Sequence, residues 1–401
     1  MEGTSGNRGP SVRSDCYVAI TPATSGGIVT EIKSKTRVLF GRHIENLVRE
    51  VLLYYGMEHA RVAVEDAGAL PWVMAARLEA AIKQLIPAKK EFLLPELPQN
   101  RQETARDRQR RSRLYLPGDQ PKLMINAGLY GADGIILDLE DAVAPSRKED
   151  ARYLVRNALR NNDFRGAELM VRINQLPAGL EDLPFVVPQP LNLILIPKCE
   201  SAAEVKAVDE RIAELNPDPH RKIWLMPIIE SALGVLKAFE IASASPSVVA
   251  LAIGLEDYTA DIGAERSHEG MESFYARSAA VNAARAAGIQ PIDSVFSGFE
   301  DLEELRAVAF RAKAMGFEGM GCIHPAQIAA VHEGFNPGEI EIAKAAKIVK
   351  AFEAAEKEGI GVIALGSKMI DAPVVKRAMR TIRLAEQNGL LNPDWRESDE
   401  R

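Results

Sequence analysis

The sequence has few cysteines, no long hydrophobic run and no surplus of positive charge. Its three cysteines are Cys16, Cys199 and Cys322. Because they are odd in number and far apart, we expect neither a disulfide framework nor a zinc site. No apolar run approaches the ~20 residues of a membrane span, and the polar start lacks the hydrophobic segment of a signal peptide. The net charge of −7 argues against nucleic acid as the main partner. We therefore expect a protein of the reducing cytoplasm that binds neither membranes nor nucleic acids.

The sequence contains enough apolar residues to form more than one hydrophobic core. Its 401 residues are 47% apolar and 26% charged, which is typical of a globular protein of two or more domains. Residues 14–86 hold the strand candidates "YVAI" and "RVAVE" and amphipathic helix patterns over 41–55 and 71–85. This pattern predicts a small α+β domain over residues 1–86.

Residues 87–112 differ from the segments on both sides. Three prolines come first, and six arginines then fall between Arg101 and Arg113 with only two acids among them. We interpret this segment as a solvated interdomain linker. A nucleic-acid-binding arm is the alternative, which the acidic total disfavours.

From residue 113 onward, short apolar segments alternate with helical patterns. Eight strand candidates follow in order: "RLYLPG", "GIILDLEDAV", "LMVRIN", "LNLILIPKCE", "KIWLMPIIE", "VVALAIGLEDY", "IDSVFSG" and "GMGCIHP". Strands that are apolar throughout and alternate with helices indicate a parallel sheet. Eight such units predict a (β/α)₈ TIM barrel over 113–335, followed by a C-terminal helical arm over 336–401. A doubly wound open sheet is the alternative.

Polar residues follow nearly every strand candidate. They are Asp138, Glu140, Asp141, Arg172, Asn174, Lys198, Glu200, Glu230, Glu256, Asp257, Asp293 and His324. In a barrel these strand ends gather on one face, where barrel enzymes carry out their chemistry. Some of these residues are expected only to cap the following helices. The ring as a whole predicts a cavity mouth that holds a cation and an anionic substrate.

Two sets of motifs resemble known families. The segments "LYLPGDQP", "LDLEDAV", "VRIN", "MPIIESALG", "GLEDYTADIGA", "GCIHPAQ" and "GSKMIDAPVVKRA" resemble, in order over 113–390, the citrate lyase beta subunit of the HpcH/HpaI aldolase superfamily, which includes malyl-CoA lyases. The segments "RSDCYVAI", "FGRHI" and "VEDAGAL" resemble, over 13–82, the citrate lyase acyl carrier (gamma) subunit. The resemblance implies a magnesium-dependent lyase, fused to its own carrier, that cleaves a citryl thioester to oxaloacetate and an acetyl thioester.

The same resemblance implies the metal ligands. Glu230 and Asp257 match the residues that bind Mg²⁺ in the family, and the alternative is a pair of helix-capping acids. Glu256 is adjacent to Asp257, but neighbouring residues on a strand point to opposite sides. We therefore expect only one of the two to face the metal, and the resemblance favours Asp257.

The substrate-binding and catalytic residues follow from the resemblance as well. Arg172 is implied to grip the substrate, with a structural bridge to the acids of "DLED" as the alternative. Glu140 and Asp141 are expected to orient Arg172, metal-bound water or a lysine, or to touch the substrate, with Glu140 as a catalytic residue and Asp141 as a substrate-binding one. Lys122 is expected to border the nucleotide end of the thioester.

Two further residues lie outside the predicted barrel. Asp371 precedes a helix and could simply cap it; the resemblance makes it the acid/base that a C-terminal segment lends to a neighbouring subunit. Ser14 aligns with the serine that carries a phosphoribosyl-dephospho-CoA arm in citrate lyase carriers.

The expected partners are the transferase (alpha) subunit of citrate lyase and further copies of the chain, as a homotrimer or hexamer. Two other functions remain open. One is a lyase that acts on free CoA thioesters such as malyl-CoA. The other is a non-catalytic assembly subunit, which the metal pair and Arg172 disfavour.

Overall fold

The computed structural model describes residues 1–298, 300–357, 363–365 and 368–396. The chain divides into two compact units, Met1–Val331 and His332–Arg401. The first unit contains a small sheet domain and a barrel.

The N-terminal domain is a four-stranded sheet with two helices. Its strands are β1 (Gly3–Gly6), β2 (Cys16–Pro22), β3 (Ile28–Ser34) and β4 (Ala60–Asp66), and its helices are α1 (Arg37–Tyr54) and α2 (Pro71–Lys83). The sheet order is β1-β2-β4-β3, with β2 antiparallel and β3 parallel to β4. Along β4, Val62 and Val64 point into the core while Arg61 and Ala63 face outward, which is the period-2 pattern of a half-buried strand. The predicted small α+β domain is confirmed.

The barrel consists of eight parallel strands. They are β5 (Ser112–Pro117), β6 (Gly134–Asp138), β7 (Glu168–Arg172), β8 (Leu193–Ile196), β9 (Trp224–Ile229), β10 (Ala250–Ile253), β11 (Gln290–Ile292) and β12 (Met320–Cys322). Each strand pairs with the next in sequence, and β12 pairs back with β5. A parallel bridge between Asp293 and Met320 joins the last two strands. The sheet is therefore closed, as predicted, and the open doubly wound alternative is wrong.

Helices separate the strands on the outside of the barrel. They are α3 (Pro121–Met124), α4 (Lys148–Asn161), α5 (Leu183–Val186), α6 (Ala202–Leu215), α7 (Ala232–Leu236), α8 (Ala238–Ala242), α9 (Leu255–Asp261), α10 (Met271–Ala286), α11 (Leu302–Met315) and α12 (Gln327–Phe335). Several begin at a side-chain cap: Ser201 accepts a hydrogen bond from the Glu204 amide at the start of α6. Among the described residues, no helix combines the length and the apolar character that crossing a bilayer requires.

The arginine-rich segment before β5 is packed against the barrel. Arg110 forms two hydrogen bonds, of 2.7 and 2.8 Å, with Glu168 at the start of β7, and both side chains are fully buried. Arg111 pairs with Asp133 at 2.8 Å. The interpretation as a solvated tether is wrong for these residues. A guanidinium fork matches a carboxylate geometrically, and both carboxylates lie more than 20 residues away in sequence.

The N-terminal domain packs directly on the barrel through α2 and α4. Arg156 of α4 binds Glu79 of α2 at 2.5 Å, and neither side chain is exposed. The Asn157 side chain donates to the Trp72 carbonyl, and Ser5 donates to Asp150. Because α2 lies between its own sheet and α4, nearly all of its residues are buried.

The second unit contains two helices and a short hairpin. Its elements are α13 (Glu339–Lys357), β13 (Ile363–Leu365), β14 (Lys368–Ile370) and α14 (Ala372–Gln387). Ile348 and Val349 of α13 are buried with Val375 and Ile382 of α14 in one apolar cluster. Asp371 is the N-cap of α14, and its carboxylate accepts a hydrogen bond from the Val374 amide. The capping role that the sequence allowed is therefore present.

Candidate active site

A cavity of about 270 Å³ opens at the carboxyl ends of the barrel strands. The structure brings together there most of the charged residues that the sequence places at strand ends. The lining includes Asp138, Asp141, Arg172, Glu230, Glu256, Asp257 and Asp293. The predicted gathering of strand ends on one face is thus observed for these seven residues.

Arg172 and Asp138 form a bidentate pair on neighbouring strands. The Nε and Nη2 atoms of Arg172 donate to the two Asp138 oxygens at 2.7 and 2.6 Å, and Nη1 lies 3.0 Å from Glu140. Asp138 also accepts a hydrogen bond from the Glu140 amide. The structural bridge between Arg172 and the "DLED" acids therefore exists, and the guanidinium still lines the cavity.

Lys198 connects the two acids that follow β6. Its Nζ binds the carboxylate of Glu140 and lies 3.0 Å from that of Asp141. Burial lowers the pKa of Lys198, but the hydrogen bonds to these carboxylates outweigh it and raise the pKa above its ordinary value. Its backbone has a φ of 48°, a rare conformation for a residue other than glycine. Glu140 itself is buried behind the cavity wall and lies outside the cavity lining.

Glu230 follows β9 and is almost completely buried, with 5% exposure. Burial raises its pKa to about 8 against the opposing effect of Arg172, and the nearby carboxylates of Asp257 and Glu140 add to the rise. One Glu230 oxygen accepts a hydrogen bond from the Lys198 amide at 3.0 Å. The backbone of Gly254 runs so close that a Cβ there would lie 2.8 Å from the Glu230 carboxylate oxygen. A larger residue at position 254 would displace this carboxylate.

Glu256 and Asp257 both lie in the first turn of α9, after β10 has ended. The strand alternation that predicts only one of them at the metal therefore does not apply, and both side chains border the cavity. Glu256 is half exposed and pairs with Arg266 at 2.5 Å. Within the described ranges Asp257 has no ion-pair partner, which leaves it free to bind a cation with Glu230.

Two predicted residues of the first unit, Lys122 and Ser14, do not line this cavity. Lys122 is exposed on α3. Ser14 is half buried in the loop before β2, has a φ of 56° and donates its amide to the Ala67 carbonyl. Asp371 belongs to the second unit. His324, named in the sequence ring, is exposed.

Arg113 and Tyr115 were not among the predicted functional residues, and Lys198 was predicted only as one member of the strand-end ring. Tyr115 lines the cavity, and the guanidinium of Arg172 lies 5.3 Å from the centre of its ring. Arg113 precedes it by two residues on β5 and lines the same cavity. The available signal was the alternation of "RLYLPG", which puts residues 113 and 115 on one face of the strand.

Two family models match the chain. The model described as HpcH/HpaI aldolase/citrate lyase matches residues 111–325. An acyl-carrier model described as malonate decarboxylase delta subunit (MdcD) matches residues 8–85. These matches correspond to the barrel and to the N-terminal sheet domain.

Curated relatives and solved structures agree with these models. The chain is 39% identical over 293 residues to citrate lyase subunit beta of Leuconostoc mesenteroides subsp. cremoris, covering 72% of this chain and 97% of that protein. It is 35% identical to the L-malyl-CoA/beta-methylmalyl-CoA lyase of Rhodobacter capsulatus, covering 69% of this chain and 94% of that protein. The crystal structure of CitE from Mycobacterium tuberculosis in complex with magnesium, acetoacetate and coenzyme A is similar with a TM-score of 0.58 and 32% identity, covering 70% of this chain and 100% of that chain.

Proposed function

The chain belongs to the HpcH/HpaI aldolase/citrate lyase family, and we propose that it is a magnesium-dependent lyase that cleaves a citryl thioester to oxaloacetate and an acetyl thioester. The observation that carries the proposal is the pair of carboxylates, Glu230 and Asp257, in the same cavity as Arg172. The identity to citrate lyase subunit beta supports the citryl group as the substrate. The carrier-like domain supports a substrate that is attached to this chain.

The residues fit a bound Mg²⁺. Glu230 is buried beside a second carboxylate, Asp257, and burial with that neighbour raises its pKa to about 8. A divalent cation would remove this cost by pairing with both charges. No group of three or more potential ligands occurs in the described part of the chain. Mg²⁺ commonly binds one or two carboxylates and completes its shell with water and substrate oxygens. The solved CitE structure contains magnesium.

The proposed reaction breaks the bond between the hydroxyl-bearing carbon and the methylene next to the thioester carbonyl. The hydroxyl loses its proton and becomes the keto group of oxaloacetate, while the electron pair leaves with the acetyl thioester as an enolate that takes up a proton. When bound, Mg²⁺ acts as a Lewis acid on the substrate's hydroxyl and carboxylate oxygens.

The chain's own residues supply the remaining functions. Arg172 keeps its guanidinium at the cavity wall and binds the substrate's carboxylate or thioester oxygen. Asp138 and Glu140 hold Arg172 in place, and Lys198 fixes Glu140 and Asp141. Asp371 provides the acid/base group from a neighbouring subunit, which requires a closed oligomer, and a homotrimer or hexamer would provide it.

The carrier role is proposed for Ser14, with a phosphoribosyl-dephospho-CoA arm. The next residue, Asp15, is buried and forms a bidentate pair with Arg77 of α2. The same guanidinium approaches the Asp119 carbonyl, in the loop after β5, and the Asp150 carboxylate, in the first turn of α4, the helix that follows β6. Ser14 is therefore held on the cavity face of the barrel. A transferase (alpha) subunit would load the arm with citrate.

The experiment is an assay of the purified chain with citryl-CoA and with malyl-CoA, each with Mg²⁺ and with EDTA. We expect faster cleavage of citryl-CoA and loss of activity in EDTA. The malyl-CoA lyase relative makes cleavage of free malyl-CoA the alternative function. Faster cleavage of malyl-CoA would replace our proposal with that alternative. Metal-independent activity, or no cleavage of either thioester, would reject the proposal.

A further inference from the structure

Arg113 is a buried cation in the interior of the barrel. It lies on β5, two residues before Tyr115, and its side chain is 1% exposed. Both residues line the cavity, so Arg113 lies one residue pair deeper than Tyr115 along the strand. The guanidinium therefore belongs to the floor of the cavity.

No carboxylate neutralises Arg113 within ion-pair distance in the described part of the chain. Nη1 lies 3.0 Å from the sulfur of Met226, and Nη2 lies 3.5 Å from the Asp293 carbonyl oxygen. Nε is buried without a hydrogen-bond partner. The carboxylate of Asp293 already pairs with Arg277. An isolated buried charge is costly by several kcal/mol or more unless a partner neutralises it.

Other arginines in the barrel show the contrast. Arg172 borders the same cavity but is engaged by Asp138 and Glu140. Arg110, three residues before Arg113, is equally buried and is neutralised by Glu168. These two buried arginines are thus paired with acids of the barrel, whereas Arg113 has no such partner among the described residues.

Two small residues lie beside Arg113 in the cavity lining. Ala252 of β10 and Gly321 of β12 border the cavity with Arg113. Small barrels normally fill their interior with side chains. Met226, which contacts the guanidinium, lies on β9, the strand that leads into Glu230. Arg113, Glu230 and Asp257 all line one cavity, so the floor and the carboxylate pair belong to one space.

We propose that Arg113 binds a substrate carboxylate that extends toward the cavity floor, namely the carboxymethyl carboxylate of a citryl group. The inference rests on the proposed function and specifies its substrate. In a citryl thioester the hydroxyl-bearing carbon carries a carboxymethyl group; in a malyl thioester it carries hydrogen. The positive charge of Arg113 has no partner in the part of the protein that the structure describes. The negative charge of the carboxymethyl group, which only the citryl thioester has, would neutralise it.

Discrimination follows from the same unpaired charge. A citryl carboxylate neutralises Arg113, whereas a malyl substrate leaves the buried guanidinium without a partner. A site built to bind a polar group rejects the analogue that lacks it, because its own buried groups then stay unpaired.

The test compares Arg113→Met with the wild-type chain in kcat/KM for citryl-CoA and malyl-CoA. Methionine replaces the aliphatic part of the side chain and removes the charge. We expect kcat/KM for citryl-CoA to fall by about 100-fold or more and kcat/KM for malyl-CoA to stay unchanged or rise. Arg113→Lys, which retains a cation, should recover part of the citryl-CoA activity. The thermal unfolding temperature of Arg113→Met should not fall, because the substitution removes an uncompensated charge.

Arg110→Met is the matched control. It removes an equally buried arginine from the same region and leaves Glu168 unpaired, so it should lower the unfolding temperature and leave the ratio of the two activities unchanged. If Arg113→Met lowers both activities in parallel, or changes neither, the assignment is wrong.

A binding experiment separates this inference from the proposed function. With Mg²⁺ present, calorimetry compares oxaloacetate with pyruvate, which has hydrogen where oxaloacetate has the outer carboxylate. The wild-type chain should prefer oxaloacetate, and Arg113→Met should lose that preference. This result would support the assignment even if the wild type cleaved neither thioester. An unchanged preference in the variant would reject it even if citryl-CoA were cleaved.

Discussion

Arg156 and Glu79 face each other across the boundary between the barrel and the carrier-like domain, with both side chains fully buried. Arg156 also binds Glu91 at 3.0 Å, and Glu79 binds Lys83 at 3.1 Å. Both charged groups lose their hydration when they are buried. Removing both partners therefore destabilises the fold less than removing one, which leaves the other charge buried and uncompensated.

We predict that Arg156→Met lowers the free energy of unfolding by about 3 kcal/mol or more, because Glu79 stays buried with only Lys83 to balance it. The double variant Arg156→Met, Glu79→Leu should lose less than the single variant. Urea unfolding measures both. The matched control is Arg49→Met on α1, whose partner Glu45 is half exposed; its cost should stay below about 1 kcal/mol. A double variant less stable than Arg156→Met would contradict this account.

Magnesium binding should depend on Glu230 and on pH. The raised pKa of about 8 means that Mg²⁺ must displace a proton from Glu230 below that pH. The apparent affinity should therefore increase as pH rises toward 8 and level off above it. Calorimetry in buffers of different ionisation enthalpy detects the released proton. Glu230→Gln should abolish binding, whereas Glu256→Gln should retain it. The opposite result would place the ligand at Glu256.

The same pKa sets a stability trend for the metal-free chain. The folded pKa of Glu230 is above the unfolded value of about 4.3, so the folded state binds the proton more tightly. This contribution is fully present below the unfolded pKa and is lost as pH rises to about 8. Relative to the wild type, Glu230→Gln should therefore be more stabilising at pH 8 than at pH 5, as measured by thermal unfolding in EDTA. A difference between variant and wild type that does not change with pH would show that Glu230 titrates normally.

Ser14 should carry the phosphoribosyl-dephospho-CoA arm in the native host. Intact mass spectrometry should show the added group on the wild-type chain and on Ser11→Ala, which alters an exposed neighbour, but not on Ser14→Ala. Because the Ser14 side chain lies on a loop outside the sheet, the variant should fold normally. An unmodified wild-type chain, from a host with active attachment enzymes, would remove the carrier role from Ser14.

Asp371 should act on the site of a neighbouring subunit. Asp371→Asn is the sharper variant because asparagine still caps a helix, so α14 keeps its start while the acid is lost. Asp371→Asn and Arg172→Ala should each be nearly inactive alone. Activity should return when the two are co-expressed, since mixed oligomers combine an intact Arg172 with an intact Asp371 of another chain. Tagged mixed oligomers that stay inactive would place both residues in the same subunit's site or leave Asp371 as a cap.

The sequence was sufficient for the barrel because most strands are apolar runs that end at, or lie just before, a charged residue. Asp138, Arg172 and Glu230 fall at strand ends, and a closed parallel sheet necessarily brings such ends together. Strand alternation does not distinguish Glu256 from Asp257, since β10 ends at Ile253 and the chain is already helical at Glu256, so the choice of Asp257 rests on the resemblance alone.

What the sequence could not provide were pairings between distant residues. Arg110 looked solvated because Glu168, its partner, lies 58 residues away. Arg113 looked like one more arginine of that segment, and only closure of the barrel shows that its side chain points inward without an acid. Lys198 follows β8, and Glu140 and Asp141 follow β6. The contact between them became visible only when the barrel brought the carboxyl ends of these two strands to the same face.

The seating of the N-terminal domain on the barrel has a consequence for how substrate would move. The ion pair between Arg156 and Glu79, with the Arg77 contacts to Asp119 and Asp150, anchors Ser14 to the barrel surface. Delivery of the thioester to the cavity would then depend on the length of the arm alone, because the carrier-like domain would not move relative to the barrel. A thioester on a tether of fixed origin samples a small volume and so has a millimolar local concentration. The transferase would have to bind to this chain to load the arm. Each lyase cavity would then receive its substrate from the arm of its own chain.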